Sequence, residues 1–138
     1  MTPSEAALKI ISDKRFEARN VDTDPEEETF CNQFVMEVAL NAGCKDLLGK
    51  RANDQIIKMM TSTAWLEVKE EGAQEAANQD CLVVAGWLNP ILTNSGHVCV
   101  IVRGELVESG QWKRRVPVAA NVGRQNWYGK PVSYAFRK

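Results

Sequence analysis

From Cys81 onward the apolar residues of this chain stop recurring every three or four positions and begin to run continuously. That change of period constrains the fold more than any other feature. CLVVAGW (81–87) and HVCVIV (97–102) are apolar runs of strand length, bounded by polar and glycine-containing segments, and they read as buried strands. WKRRVPVAA (112–120) and PVSYAF (131–136) supply two further strands. Gly104, Ser109, Gly110, Gly123 and Gly129 punctuate the turns.

The first half carries the helical period instead. PSEAALKIIS (3–12) places Ala6, Ala7, Ile10 and Ile11 on one side behind a proline near the start, a short packing helix. After the polar loop NVDTDPEEE, Phe30, Phe34 and Val38 recur every four residues, with Val35, Ala39 and Ala42 widening the stripe and Thr29 as a suitable N-cap. This helix is expected to stop at Gly43. Another begins near Asn53 or Asp54 and runs through Ile56, Ile57, Met59 and Met60; EGAQEAANQ (71–79) adds one or two turns, and Trp65–Val68 is a short strand or extended segment. With no repeat or low-complexity segment, residues 1–138 read as one α+β domain, its helices on one side of an antiparallel sheet.

Composition narrows the function. A chain of 138 residues buries enough apolar surface to fold without disulfides or a structural metal. A net charge of −1, with no like-charge run longer than DPEEE, offers no basic surface to nucleic acid or an anionic membrane. Cys31, Cys44, Cys81 and Cys99 form no CxxC pair and have one histidine between them, which argues against zinc. Cys81 and Cys99 fit core positions and all four fit reduced thiols. MTPSEAALKIISDK lacks the continuous apolar stretch of a signal peptide and nothing reaches transmembrane length, so the expectation is a protein made in the cytoplasm, with any export by another route.

Two residues carry candidate chemistry. Cys31 falls in the first turn of its helix, where unpaired N–H groups and the helix dipole favour thiolate over thiol. The competing reading is a small core hydrophobe, and Glu26–Glu28 would raise the thiol pKa if they faced it. His97, the only histidine, follows Ser95 and Gly96 and opens a strand. It is either structural or the base for a thiol, held by a rigid strand behind a glycine that permits close backbone approach. A hairpin centred near Ser109 would set His97 opposite Asn121, making Asn121 the group that orients the imidazole. Asn121 equally suits the start of the turn AANVG, and a tighter turn at Gly104 would bring in Glu108 or Gln111 instead. Gln125, Asn126, Trp127 and Tyr128, with Asn53 and Asp54, fit either a substrate cleft or packing.

Taken in order, FCNQFV, ANDQIIKMM, a tryptophan with the EAAN segment, CLVVAGW and GHVCVIVRG resemble the papain-like cell-wall peptidases of the NlpC and CHAP superfamily. Within it the likeness is to small peptidoglycan amidases delivered by type VI secretion and to related phage lytic domains. It spans roughly residues 25 to 105. The resemblance implies a papain-like fold, Cys31 as nucleophile and His97 as general base. It also implies hydrolysis of a peptidoglycan stem-peptide amide, most plausibly D-glutamate to diaminopimelate, without a cofactor. It further implies a monomer acting at the bacterial wall, outside the membrane, with an immunity protein as partner where the chain is a delivered toxin. Without a signal peptide or wall-binding module, the expectation is a toxin or phage enzyme rather than a resident wall-remodelling one. Two other classes stay open: a papain-like acyltransferase using the same Cys and His, and a non-catalytic phage structural or interaction domain.

Overall fold

The computed structural model describes residues 1–16 and 30–136. Four helices precede six strands: α1 (Pro3–Ile11), α2 (Cys31–Asn41), α3 (Ala52–Thr61) and α4 (Glu70–Asn78), then β1 (Val83–Trp87), β2 (His97–Ile101), β3 (Val107–Ser109), β4 (Arg114–Val116), β5 (Val118–Asn121) and β6 (Trp127–Pro131). A 3-10 turn, Lys14–Phe16, follows α1, and a 3-10 helix, Val132–Phe136, follows β6. The α+β class with an antiparallel sheet is as expected. Among the described residues no helix is long and apolar enough to cross a membrane.

Local chemistry sets the helix ends. Thr2 and Glu5 form a reciprocal capping box at α1, which satisfies two otherwise unpaired N–H groups. α2 closes at Gly43, whose φ of +84° suits a residue without a β-carbon; Gly43 N–H donates to Leu40 O and Cys44 N–H to Ala39 O, each at 2.9 Å. α4 closes in the same way with Asp80 at φ +67° in the position glycine usually takes. Thr29, the expected cap of α2, lies outside the described residues, as do Glu26–Glu28. α3 begins earlier than expected: Arg51 is its N-cap, and Asn53 is buried in the first turn rather than capping it.

The main sheet has the order β1-β2-β5-β6, all antiparallel, and β3 and β4 form a separate two-stranded sheet. Strand alternation divides the core in two. Val98, Val100, Val102, Val118 and Ala120 face α1, α2 and α3, with Phe34, Val35, Val38 and Ile56 packed among them. Cys99, Ile101 and Ala119 face the other way, onto Ala73 and Ala77 of α4, Val116 and Val132. Each fully buried Val or Phe here contributes about 1.5–3 kcal/mol relative to exposure. The helices therefore occupy both faces of the sheet, not one, because β2 is apolar at every position after His97 and both of its faces need cover.

Two strand expectations fail for identifiable reasons. Residues 112–120 are not one strand, because Pro117 has no N–H to continue a ladder; β4 ends before it and β5, in the other sheet, begins after it. PVSYAF is not a strand either. Val132, Ala135 and Phe136 recur at helical spacing and pack together against the second core, and the last strand is WYGKP, which looked like turn and cleft. Trp65–Val68, expected as a short strand or extended segment, belongs to no strand or helix.

Candidate active site

His97 is the first residue of β2 and Asn121 the last of β5, two neighbouring antiparallel strands. Val100 faces Ala120 and Ile101 faces Ala119, so the register carried outward sets His97 opposite Gly123, two residues beyond the expected Asn121. The hairpin turn is not the cause: β3 and β4 take that turn, with Val107 facing Val116. An even offset keeps a residue on the same face of a sheet, and Asn121 still meets the imidazole diagonally. His97 Nε2 and Asn121 Oδ1 are 2.6 Å apart.

The direction of that bond follows from the other end of the amide. Asn121 Nδ2 donates to the carbonyl of Gln125 at 2.9 Å, and a carbonyl can only accept. Oδ1 is thus the atom turned to the ring, so Nε2 carries the proton and donates. In the neutral imidazole Nδ1 is then left as the basic nitrogen. Burial pushes the His97 pKa below its ordinary value, opposed by the hydrogen bond to Asn121. The neutral, basic form is therefore favoured near pH 7.

Two further contacts hold the ring in place. Phe136 stands edge-on to it, with centroids 5.6 Å apart at 75°. Gly123 lies against its other side: a β-carbon there would be 3.2 Å from Cε1 of His97. Gly123 N–H donates to Asn126 Oδ1 at 3.0 Å, and Asn126 Nδ2 donates to the carbonyl of Phe16. The turn after β5 is thereby tied to the 3-10 turn that follows α1.

The loop leading into His97 is shaped by Asn53. Its Oδ1 accepts from Asn89 N–H and its Nδ2 donates to Asn94 O, both at 3.0 Å. Gly96 was expected to admit a substrate or another chain; what approaches it is the Asn53 side chain and the Trp87 carbonyl, which a β-carbon would meet at 2.3 and 2.5 Å. This role of Asn53, inside a helix and far from His97 in sequence, had no signal beyond its polarity in an otherwise amphipathic segment.

Cys31 is the first residue of α2 and 4% exposed. The first intrahelical bond runs from Phe34 N–H to Phe30 O at 2.9 Å, so the N–H groups of the opening turn point out of the helix end, and no acidic residue lies in that turn. Gln55, fully buried on α3, donates to the carbonyl of Asn32 at 2.9 Å and fixes this end of α2. α2 packs on β2. Burial drives the Cys99 thiol pKa far up, and the neighbouring Cys31 adds to the rise. Cys99 shares a face of β2 with His97, whereas α2, with Cys31, packs on the opposite face among Val98 and Val100.

The other candidates are placed elsewhere. Glu108 and Gln111 are exposed at the small sheet. Asp54 is exposed. Trp127 stacks edge-on to Tyr134, and Tyr128 donates its hydroxyl to Ser4 O, so both serve packing. Cys81 is exposed, not in the core, whereas Cys99 is fully buried; all four cysteines are free thiols. Among the described residues no three His, Cys, Asp or Glu side chains gather to hold a metal.

A groove of about 1620 Å³ runs along β1, from Trp65 and Met59 past Leu82–Trp87 to Ser95, Gly96, His97, Arg124 and Phe136. Compared with known proteins, the chain matches no family model and no curated sequence.

Proposed function

We propose that this protein is a cysteine hydrolase that cleaves an amide bond in the peptide stem of peptidoglycan, D-glutamate to diaminopimelate in the first instance, on a papain-like fold of the NlpC and CHAP type. The observation that carries the reading is the His97–Asn121 bond, whose direction leaves Nδ1 of a neutral imidazole as a base. Cys31 at the start of α2, the helix that packs on the histidine strand, supplies the nucleophile. His97 Nδ1 takes the thiol proton and the thiolate attacks the amide carbonyl. The N–H of Cys31 donates to the oxyanion that forms. The amine leaves with the proton returned by His97, and water, deprotonated by the same nitrogen, hydrolyses the thioester. Asn121 keeps Nε2 protonated throughout and stabilises the imidazolium, as the third member of a triad does.

A papain-like acyltransferase is the second reading, favoured by one observation: Trp87 is 50% exposed, and Ile91 and Leu92 are exposed on the loop leading to His97, an apolar surface suited to an acceptor. Incubation with purified muropeptides and mass spectrometry of the products separates the readings. Two new termini support the amidase and a transferred acyl group supports the acyltransferase. An inert but folded protein supports a structural or interaction domain and overturns both.

A further inference from the structure

We propose that the groove along β1 binds its ligand as an additional β-strand: an extended peptide paired with the outer edge of β1, bearing near the reacting carbonyl a free carboxylate that Arg124 reads. This rests on the hydrolase reading and names how the substrate is held.

β1 is an edge strand. Its inner edge is paired with β2 over all five residues, and among the described residues no backbone hydrogen bond joins its outer edge to another segment. Alternate N–H and C=O groups of such a strand point outward, a template for a further strand. Leu82 through Trp87 all line the groove, side chains of both faces included, as expected where a groove follows a strand's edge rather than one face. The groove also reaches the histidine of the candidate site, which lines it although Cys31 does not: Trp87 faces His97 in the β1–β2 register, so a chain that leaves the edge of β1 beyond Trp87 comes to the end of the strand that His97 opens.

Charge selects the occupant. Of the groove's charged groups, Glu70 is bound by Arg114, Asp46 accepts from Trp65 Nε1 at 3.2 Å, and Lys45 and Glu67 line it beside Asp46 and Trp65. Arg124 has no carboxylate partner among the described ion pairs. It follows Gly123, which lies against His97, in the turn fixed by Asn121, Asn126 and Phe16. Arg124 is exposed and lines the groove together with His97, and a guanidinium suits a planar carboxylate. A γ-linked D-glutamate carries its free α-carboxylate three carbons from the carbonyl of its scissile amide.

The test is amide hydrogen exchange of residues 83–87 in the full chain carrying Cys31→Ala, with L-Ala-γ-D-Glu-diaminopimelate as probe. Exchange should slow by about tenfold or more at saturation. The protection should weaken when the glutamate carboxylate is amidated or when Arg124→Gln is added. It should vanish when the probe's backbone is N-methylated. Protection that survives N-methylation overturns strand pairing, and protection indifferent to both amidation and Arg124→Gln overturns carboxylate reading. Cleavage of muropeptides by the unmutated protein without protection of β1 overturns the docking and leaves the hydrolase intact. Protection by an all-L acidic tetrapeptide, with muropeptides neither bound nor cleaved, sustains the docking and overturns the peptidoglycan reading.

Discussion

Asn53 and Gly96 leave no room between them: a β-carbon on the glycine would lie 2.3 Å from the asparagine Oδ1. The same oxygen accepts from Asn89 and the same amide donates to Asn94, so one buried side chain sets the path by which the chain enters His97. Asn53→Ala removes both bonds and leaves a part-buried N–H, that of Asn89, unpaired, with an expected cost of about 1–2 kcal/mol in urea unfolding. A change under about 0.5 kcal/mol would contradict this role.

Gly123→Ala tests the other side of the ring. The new methyl would sit 3.2 Å from His97 Cε1 and 3.6 Å from Asn121 Nδ2, enough to shift the imidazole by a few tenths of an ångström. Turnover should fall while the unfolding midpoint barely moves. Equal loss of stability and activity would assign the glycine to the fold alone.

For the histidine itself, nitrogen NMR should find Nε2 protonated and Nδ1 bare at neutral pH. Asn121→Ala should mix the tautomers and lower turnover on the order of a hundredfold, leaving Cys31 open to alkylation. The opposite tautomer in the unmutated protein would remove the base.

The pH dependence of stability has a definite sign. Burial depresses the folded-state pKa of His97, so below about 6.5, the unfolded value, the unfolded chain binds the proton more readily. The contribution is fully present above that pH and declines as pH falls toward the folded pKa. Glu5 and Glu70, also depressed, act only lower, in the carboxylate range. Urea midpoints between pH 8 and 5 should therefore drop in the unmutated protein and stay flatter in His97→Gln; parallel curves for the two would refute the assignment.

Thiol reactivity should run against exposure. Cys81 is exposed and Cys31 nearly buried, yet iodoacetamide near pH 7 should modify Cys31 first, since thiolate character governs the rate. Cys99, buried and with its pKa driven up, should react last. Cys31→Ala should abolish hydrolysis, and His97→Ala should slow Cys31 alkylation; labelling that simply follows exposure would sink the pair.

How far the residues alone foretold this arrangement depended on the range of the forces involved. Helix ends and periodicity are local, so α1, the Gly43 stop of α2, β1 and β2 were readable to within a residue or two. His97 and Asn121 were paired through a hairpin that does not form between them; they came out on one face because an error of two residues preserves the alternation of a sheet. Pro117 marked the break between β4 and β5 and was passed over because valines flank it. The second helical layer was missed because α4 buries Ala73, Gln74 and Ala77, two small residues and a polar one, a weak apolar signal. Asn53 and Gly123 act through contacts between distant segments, and no local pattern announces those.

The bonds joining the two ends of the chain have a consequence for its synthesis. Arg103 N–H donates to Ser4 Oγ, Tyr128 donates to Ser4 O and Asn126 to Phe16 O, across separations of 99, 124 and 110 residues. Closures of that length form slowly and late. A nascent chain displaying Cys31 and even His97 has yet to make Asn121, and the turn that steadies it is locked only when residue 126 finds the beginning of the chain. The His97–Asn121 pair is thus steadied only after residue 126 has been made and has found Phe16, and a chain shortened before residue 126 should hold the imidazole loosely.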